Sequence, residues 1–387
     1  MNSKKPSLMK VSILLVSIIT ASAPAINGNI PVLAKAFPNV PLTAIEFLTT
    51  VPSLFLIVGI LISNPLANKI GLKSTVIIGV SLTAIAGLAP VAVNNFTVLL
   101  LTRALFGLGV GLFNSLLVTI ISYFYTGNER STTLGWQSTF EGLGGVLVTF
   151  IAGQLVKINW HMSFLAYAIT LPALILFTLY VPRIPRITEP KVVHSTSKTN
   201  FGTLIPYLLL TFIVISLYMI MRIKVSSLIV TAGYGSATDA SYVILALSLG
   251  AMLGGGIFGR VFAKINNWIV PLAMAIMALA MGMIAVAQTT ILTIMGGFLT
   301  GFGVRLFFPW ILNEVNRSQS GNTLTTSIIL ISYNLAGTLA PYSALLIQKL
   351  VGFKSLTGFF YFNLVCYLIL AVCLAIAFAR QNKIGQQ

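Results

Sequence analysis

The sequence predicts an all-α polytopic membrane protein, with twelve transmembrane helices in two pseudo-symmetric six-helix bundles and both termini cytoplasmic. Three observations carry that prediction. Of the 387 residues, 57% are hydrophobic and 7% charged, against about 25% charged in a soluble domain, and mean hydropathy is +0.97. Apolar runs long enough to cross a bilayer recur along the chain, interrupted once by a long polar stretch. The 23 Lys and Arg, set against 6 Asp and Glu, concentrate in alternate loops. Such a composition excludes a collagen, a disordered tail, a disulfide scaffold and a water-soluble enzyme.

A hydrocarbon core about 30 Å thick takes about 20 residues at helical rise. Runs of that kind bounded by polar clusters fall at 11–34, 44–67, 75–94, 97–122, 131–155, 161–181, 204–231, 240–263, 268–287, 290–315, 322–347 and 355–379. Hydrocarbon offers no partners to backbone polar groups, so each should be a helix. The first follows Lys4, Lys5 and Lys10 and contains Ala21-Ser22-Ala23, features shared with a cleaved signal peptide. Its apolar run continues past that point and eleven more follow, so a retained helix is the simpler reading. The long polar stretch from Pro182 to Gly202 carries Arg183, Arg186, Glu189, Lys191, His194 and Lys198. It divides the chain into a six-helix bundle at 1–181, a cytoplasmic linker at 182–203 and a second bundle at 204–387.

With the N-terminus cytoplasmic, the inner tails and loops carry fifteen basic residues. The outer loops carry four: Lys35, Lys157, Lys349 and Lys354. Basic residues accumulate on the cytoplasmic side of membrane proteins, which sets this orientation. The net charge of +17 is therefore mostly topological, and no nucleic-acid partner is expected. Cys366 and Cys373 share one apolar run, and His161 and His194 are the only histidines. Neither a disulfide framework nor a metal centre follows from them. No Walker-type glycine loop is present, which argues against ATP drive, and no cofactor or catalytic set is expected.

The halves repeat at an offset of about 194 to 195 residues, as in repeat-built transporters. Gly107-Leu-Gly-Val-Gly-Leu-Phe113 matches Gly301-Phe-Gly-Val-Arg-Leu-Phe307, Gly127-Asn128 matches Gly321-Asn322, and Lys69-Ile70 matches Lys264-Ile265. Three motifs extend the comparison: Asn64-Pro-Leu-Ala-Asn68-Lys69-Ile-Gly71-Leu-Lys73, Arg103-Ala-Leu-Phe-Gly107-Leu-Gly109-Val-Gly111, and Gly153 followed by Trp160, His161 and Phe164. On these residues the whole chain resembles the major facilitator superfamily of secondary transporters. The resemblance implies alternating access, a central cavity lined by spans 1, 4, 7 and 10, and a gating motif at Asn68, Lys69, Gly71 and Lys73. Asn68 stands where that motif has an acid, which puts its ionic gate in doubt. The Gly-Pro motif of proton antiporters is absent from span 5, which reads Glu141-Gly-Leu-Gly-Gly145.

Ionisable groups within spans cost about 2.5 to 3.5 kcal/mol each near the bilayer centre, which makes each a candidate functional residue. Arg305 lies near the middle of span 10, where its repeat partner is Gly111. A pair with Glu314 fits less well, because nine residues separate them by about 14 Å of helix axis. Arg222 shares a stripe of span 7 with Thr211, Tyr218 and Ser226. Lys224 is rotated by about 200° from Arg222, so one regular helix cannot turn both to a single cavity. Lys224 can instead snorkel to the outer interface. Their repeat partners, Asn27 and Asn29, are neutral cavity-lining candidates. Arg103 and Glu141 form either a buried structural pair or, through Glu141, the site of a coupling proton. Glu46, Asp239 and Glu314, at span ends, default to solvated surface. Gln137 and Trp136, Tyr218, Trp310, Tyr333 and Asn334 supply either recognition surface or helix packing.

The expected activity is secondary transport, without enzymatic chemistry, in a multi-pass protein of the cell membrane. Up to three cations (Arg222, Lys224, Arg305) and no acid on the implied cavity helices favour a small organic anion, moved by exchange or with protons by a monomer in the lipid bilayer. The alternative is a proton-coupled exporter of drugs or amphiphiles, suggested by the span 4 motif. A receptor or intramembrane enzyme would need a soluble domain or a catalytic cluster.

Overall fold

The computed structural model describes residues 4–184, 201–318, 323–353 and 355–384, and within them the chain is a series of helices joined by short turns. It divides into two compact units, Met1–Val193 and His194–Gln387. In the first, α1 (Lys4–Thr20), a 3-10 segment (Ala23–Asn29) and α2 (Ile30–Ala36) are followed by α3 (Leu42–Ile70), α4 (Leu72–Leu88), α5 (Phe96–Phe124), α6 (Gly127–Leu155), a second 3-10 segment (Met162–Ile169) and α7 (Thr170–Tyr180). The second unit holds α8 (Phe201–Thr231), α9 (Ala237–Ile265), α10 (Ile269–Ala285), α11 (Thr290–Ser318), α12 (Thr323–Val351) and α13 (Thr357–Ile384). Most of the linker, with Arg186, Glu189, Lys191, His194 and Lys198, lies outside the described residues, as does the Gly321-Asn322 match.

Among the described residues, ten helical runs are long and apolar enough to cross a membrane. One of them, Ala237–Ala285, comprises α9 and α10, which part at the short 3-10 turn Asn266–Trp268. Helix α6 is not among the ten; Asn128, Glu129, Arg130, Gln137 and Glu141 make it the most polar of the long helices. Termini are set by local chemistry. Asn95 caps α5 by accepting from the Val98 amide at 3.2 Å, and Ser236 with Asp239 forms a capping box at the start of α9.

The units share one packing scheme. Helix α5 lies against α3 and α4, α7 against α4, and α6 against α1; in the second unit α11 lies against α9 and α10, α13 against α10, and α12 against α8. The repeat extends to individual backbone contacts. A Cβ on Gly107 would fall 2.1 Å from the Pro52 carbonyl oxygen, and one on Gly301 would fall 1.9 Å from that of Leu247. Likewise Gly59 meets the Leu108 oxygen and Gly254 the Phe302 oxygen, while Gly109 meets Gly79 and Thr83 where Gly303 meets Ala273 and Met277. Each of these pairs is related by 194 or 195 positions. Membrane helices associate by close contact, because lipid removes the hydrophobic drive between them, and absent side chains are what allow backbones this near.

A second correspondence sits at the turns. Gly71 closes α3 at φ +90°, and Asn266, 195 residues on, closes α9 at φ +49°. Asn266 is the only non-glycine residue with positive φ among the described residues. Asparagine is among the few side chains that tolerate this region.

The clearest departure from twelve regular helices is the first span. Helix α1 ends at Thr20, and Pro24 opens the 3-10 segment that follows. Proline has no amide hydrogen, so the α-helical ladder cannot run through it unbroken. The corresponding stretch of α8 has no proline and is one continuous helix of 31 residues.

Candidate functional site

In the first unit the buried chemistry gathers around the broken span. Arg103, on the second turn of α5, is fully buried. Its Nη2 donates to the Ala23 carbonyl at 2.9 Å, and its guanidinium lies over the rings of Phe106 (4.7 Å), Tyr167 (5.4 Å) and Phe164 (5.9 Å). Tyr167 Oη donates to the carbonyls of Ser22 at 3.2 Å and Ala23 at 3.4 Å. Asn29, at the far end of the 3-10 segment, donates to Ser163 Oγ. The backbone at the break is thus tied by side-chain donors to α5 and the sixth span, in addition to the Ala25 amide that already bonds the Ser22 carbonyl.

Of the two readings of Arg103 and Glu141, a structural pair or a proton site, the pair draws no support from the contacts of Arg103 among the described residues, which are the Ala23 carbonyl and the three rings. Helix α6 packs mainly on α1. Glu141 is half-buried. Glu46, expected at the solvated surface, is instead fully buried in α3. Its position near a span end gave no sign of this, because the segment α2 folds over the start of α3. Asn27 and Gln137 are buried, Asn27 within the 3-10 segment.

The four gating-motif residues sit at the turn between α3 and α4. Asn68 and Lys69 are exposed, Gly71 supplies the positive φ, and Lys73 Nζ donates to the Thr178 carbonyl in the last turn of α7 at 2.7 Å. A cation against C-terminal carbonyls is favoured by the helix dipole.

In the second unit three helices, α8, α11 and α12, bring together four of the highlighted residues. Arg222 and Tyr218 stand one turn apart on α8, with the guanidinium 5.5 Å from the ring centre. Arg222 is 8% exposed; its Nη1 lies 3.9 Å from Met219 Sδ, and its Nε has no hydrogen-bond partner among the described residues. On α11, Arg305 precedes Phe308 by one turn, and the Phe308 ring packs against Tyr333 of α12 with ring centres 4.8 Å apart and planes tilted by 55°. Tyr333 is within electrostatic reach of Tyr218, Arg305 and Arg222 together. Arg305 itself is exposed.

Lys224 faces elsewhere. It is buried, with Nζ 4.9 Å from the Phe359 ring of α13, and does not snorkel to the interface as expected. Its rotation away from Arg222 turns it into the α8 and α13 contact. Of its two readings Trp310 shows packing: its Nε1 donates to Asn267 Oδ1 at 3.1 Å, and its ring packs near Phe307 and Phe378. Five residues beyond Arg305, it points to the turn between α9 and α10 and to α13. Asn334 Nδ2 donates to the Leu330 carbonyl of its own helix at 2.9 Å.

Span 12 mirrors span 6. Asn363 Nδ2 donates to the Leu217 carbonyl at 3.0 Å and Tyr367 Oη to that of Val214 at 3.1 Å. Leu217 is the repeat partner of Ser22, whose carbonyl receives Tyr167. Sequence comparison did not flag this, since the donors themselves differ in type and register.

Known proteins share this architecture. The crystal structure of a D-xylose-proton symporter superposes with a TM-score of 0.75 at 14% identity, covering 96% of this chain and 97% of that one. A peptide transporter in complex with alafosfalin gives 0.72 at 14% identity over 98% and 96%. Identity at that level speaks to fold alone. In sequence, the multidrug transporter protein MdtP of Bacillus subtilis (strain 168) is 26% identical over 378 residues, and the quinolone resistance protein NorA of Staphylococcus aureus (strain MSSA476) is 26% identical over 204. The matches take in 92% and 51% of this chain; it spans 63% of the first relative and 50% of the second. The family model described as Major Facilitator Superfamily matches residues 12–341. With that match over most of its length, on a multi-pass helical fold of the cell membrane, the chain belongs to the Major Facilitator Superfamily.

Proposed function

We propose that the protein is a secondary transporter that moves a small organic anion across the cell membrane by alternating access. The observation that carries the substrate class is Arg222: a guanidinium 8% exposed, with an unsatisfied Nε, beside Tyr218 and in the same cluster as Arg305 and Tyr333. The only acids at positions 194–387 are Asp239 and Glu314. Asp239 is engaged in the α9 cap, and Glu314 is nine residues along α11 from Arg305. A buried cation is costly unless compensated, and an anionic ligand supplies the compensation.

In this reading all twelve predicted spans cross the bilayer. The fifteen-to-four distribution of basic residues puts both termini in the cytoplasm, the six-helix bundles at 1–181 and 204–387 are joined by the linker 182–203, and the carrier works as a monomer. Asn27, Gln137 and Asn334 complete the neutral lining, Asn68, Lys69, Gly71 and Lys73 serve the gate, and Glu141 carries a proton where transport is proton-linked. Counterflow of a labelled anion panel in liposomes containing the whole protein tests the substrate class. Wild type should exchange anions, and Arg222→Gln should lose at least tenfold in rate; equal exchange by both removes Arg222 from the site.

The names of the relatives, a multidrug transporter and a quinolone resistance protein, favour a second reading. Proton-coupled export of amphiphiles would appear as thermal stabilisation by lipophilic cations and not by anions.

A further inference from the structure

The turn between α3 and α4 gathers cations without an acid. Lys69 lies in the last turn of α3, Lys73 in the first turn of α4, and the segment after α7 brings Arg183 to the same place. Two contacts fix that approach. Lys73 Nζ donates to the Thr178 carbonyl at 2.7 Å, and a Cβ built on Gly71 would lie 4.0 Å from the Ile184 carbonyl oxygen. Val181 and Ile184 are buried while Pro182 and Arg183 between them are exposed, so Arg183 is held at the surface beside the turn. Asn68, where the gating motif of the family has an acid, is exposed as well. Glu46 is the single acid on α3, α4 and α7, and it lies about 35 Å along the α3 axis from Lys69. The carbonyl that Lys73 meets carries no charge, so the three cations stay uncompensated by these helices.

The bilayer-facing side adds a second feature. Helices α4 and α7 pack together, and both expose apolar side chains, Ile78 and Ile85 on α4 and Leu171, Ile175 and Leu179 on α7. The last three recur every fourth residue and form one stripe. It ends at exposed Tyr180, three residues before Arg183. Apolar stripe, interfacial aromatic and cations follow one another as acyl chain, interface and phosphate do in a phospholipid. The second unit differs: 195 positions beyond Lys73 and Arg183 stand Trp268 and Phe378.

We propose that this turn binds an anionic phospholipid, its phosphate between Lys73 and Arg183 with Lys69 at the rim, and an acyl chain along the α7 stripe. The leaflet is the cytoplasmic one in the orientation proposed above, and the site stands whatever substrate is carried. A free phosphate would meet the same cations and leave the stripe unused.

Delipidated full-length protein in dodecyl maltoside, titrated with phosphatidylglycerol or phosphatidylcholine of matched chains and read by native mass spectrometry, tests this. In wild type the first phosphatidylglycerol should bind at least tenfold more tightly than phosphatidylcholine. Lys73→Gln with Arg183→Gln should bring the two lipids within threefold. Lys35→Gln with Lys157→Gln, an equal loss of charge at the other end of the unit, should leave the preference unchanged. Lys73→Arg with Arg183→Lys keeps both charges and should keep the preference, which separates loss of the site from misfolding. Asn68→Asp, which supplies a carboxylate, should weaken phosphatidylglycerol at least threefold and leave phosphatidylcholine unchanged. Equal affinity for the two lipids in wild type, or equal losses in the two charge-matched variants, overturns the site. Displacement of bound phosphatidylglycerol by an equal concentration of inorganic phosphate overturns the lipid as its occupant.

Discussion

Arg103 donates to the carbonyl oxygen of Ala23 across 2.9 Å, from the second turn of α5 to the point where the first span breaks. The bond joins residues 80 positions apart. Its Nε and Nη1 are buried without acceptors, so the remaining charge rests on the faces of Phe106, Phe164 and Tyr167. A desolvated guanidinium over aromatic faces gains about 2 kcal/mol. A neutralised acid pair is not required to hold it there.

Replacing Arg103 by Ala should therefore act on folding. It removes the side-chain hydrogen bond to the Ala23 carbonyl and empties a fully buried volume. A hydrogen bond from a charged donor contributes about 1.5 to 3 kcal/mol, and truncations of large buried side chains cost several more. The expected result is a large drop in thermal midpoint in detergent, with Arg103→Lys recovering only part of it because an ammonium lacks the planar stacking surface. Glu141→Gln should shift the midpoint by the same amount in wild type and in Arg103→Lys, and a non-additive double mutant would show that the two side chains are coupled.

The repeated glycine contacts predict paired defects. Gly107→Ala and Gly301→Ala each place a Cβ at about 2 Å from a facing carbonyl oxygen, a separation that demands movement of whole helices. Both should reduce the yield of monodisperse protein to a similar extent. Gly255→Ala and Gly256→Ala, where a Cβ meets nothing within 4 Å, should purify like wild type. Their helix propensity is slightly better than glycine, so no loss is expected from the backbone.

The membrane spans were legible because apolar length and flanking charge are local properties of the chain. The repeat was legible for the same reason, at Gly107 and Gly301 and at Lys69 and Lys264. What a polar side chain meets is non-local, and there the sequence misled. Nothing near Arg103 indicates that its acceptor is the backbone oxygen of Ala23, nor does the sequence around Glu46 show that it is buried. The separation of Arg222 from Lys224 was readable from helical rotation, since a regular α8 carries it into the fold unchanged. Which neighbours Trp310 packs against, Asn267 in the turn after α9 and Phe378 of α13, is a distinction that helical depth alone does not make.

The turn residues give a sharper backbone test. Gly71 sits at φ +90° and Asn266 at φ +49° in equivalent turns. Gly71→Ala puts a Cβ where L-residues are strained by about 1 to 2 kcal/mol, although the nearest outside atom, the Ile184 oxygen, is 4.0 Å away. It should lower the thermal midpoint through backbone strain alone. Asn266→Gly should be neutral or mildly stabilising, and Asn266→Val strongly destabilising. Equal midpoints for Gly71→Ala and wild type would show that this turn adopts another conformation.

Lys224 distinguishes a cation packed against an aromatic ring from the proposed binding cation Arg222. Its Nζ lies 4.9 Å from the Phe359 ring within the α8 and α13 contact, while Arg222, two residues earlier, belongs to the cluster with Tyr218 and Tyr333. A desolvated cation over an aromatic face couples by about 1 to 2 kcal/mol. A double-mutant cycle of Lys224→Met and Phe359→Leu, read by denaturant unfolding, should return coupling of that size. The same Lys224→Met protein should bind anions within threefold of wild type, since its ammonium faces α13 and not the Arg222 side of α8. Loss of anion binding on that substitution, without loss of stability, would place Lys224 in the site and require α8 to rotate by more than a third of a turn.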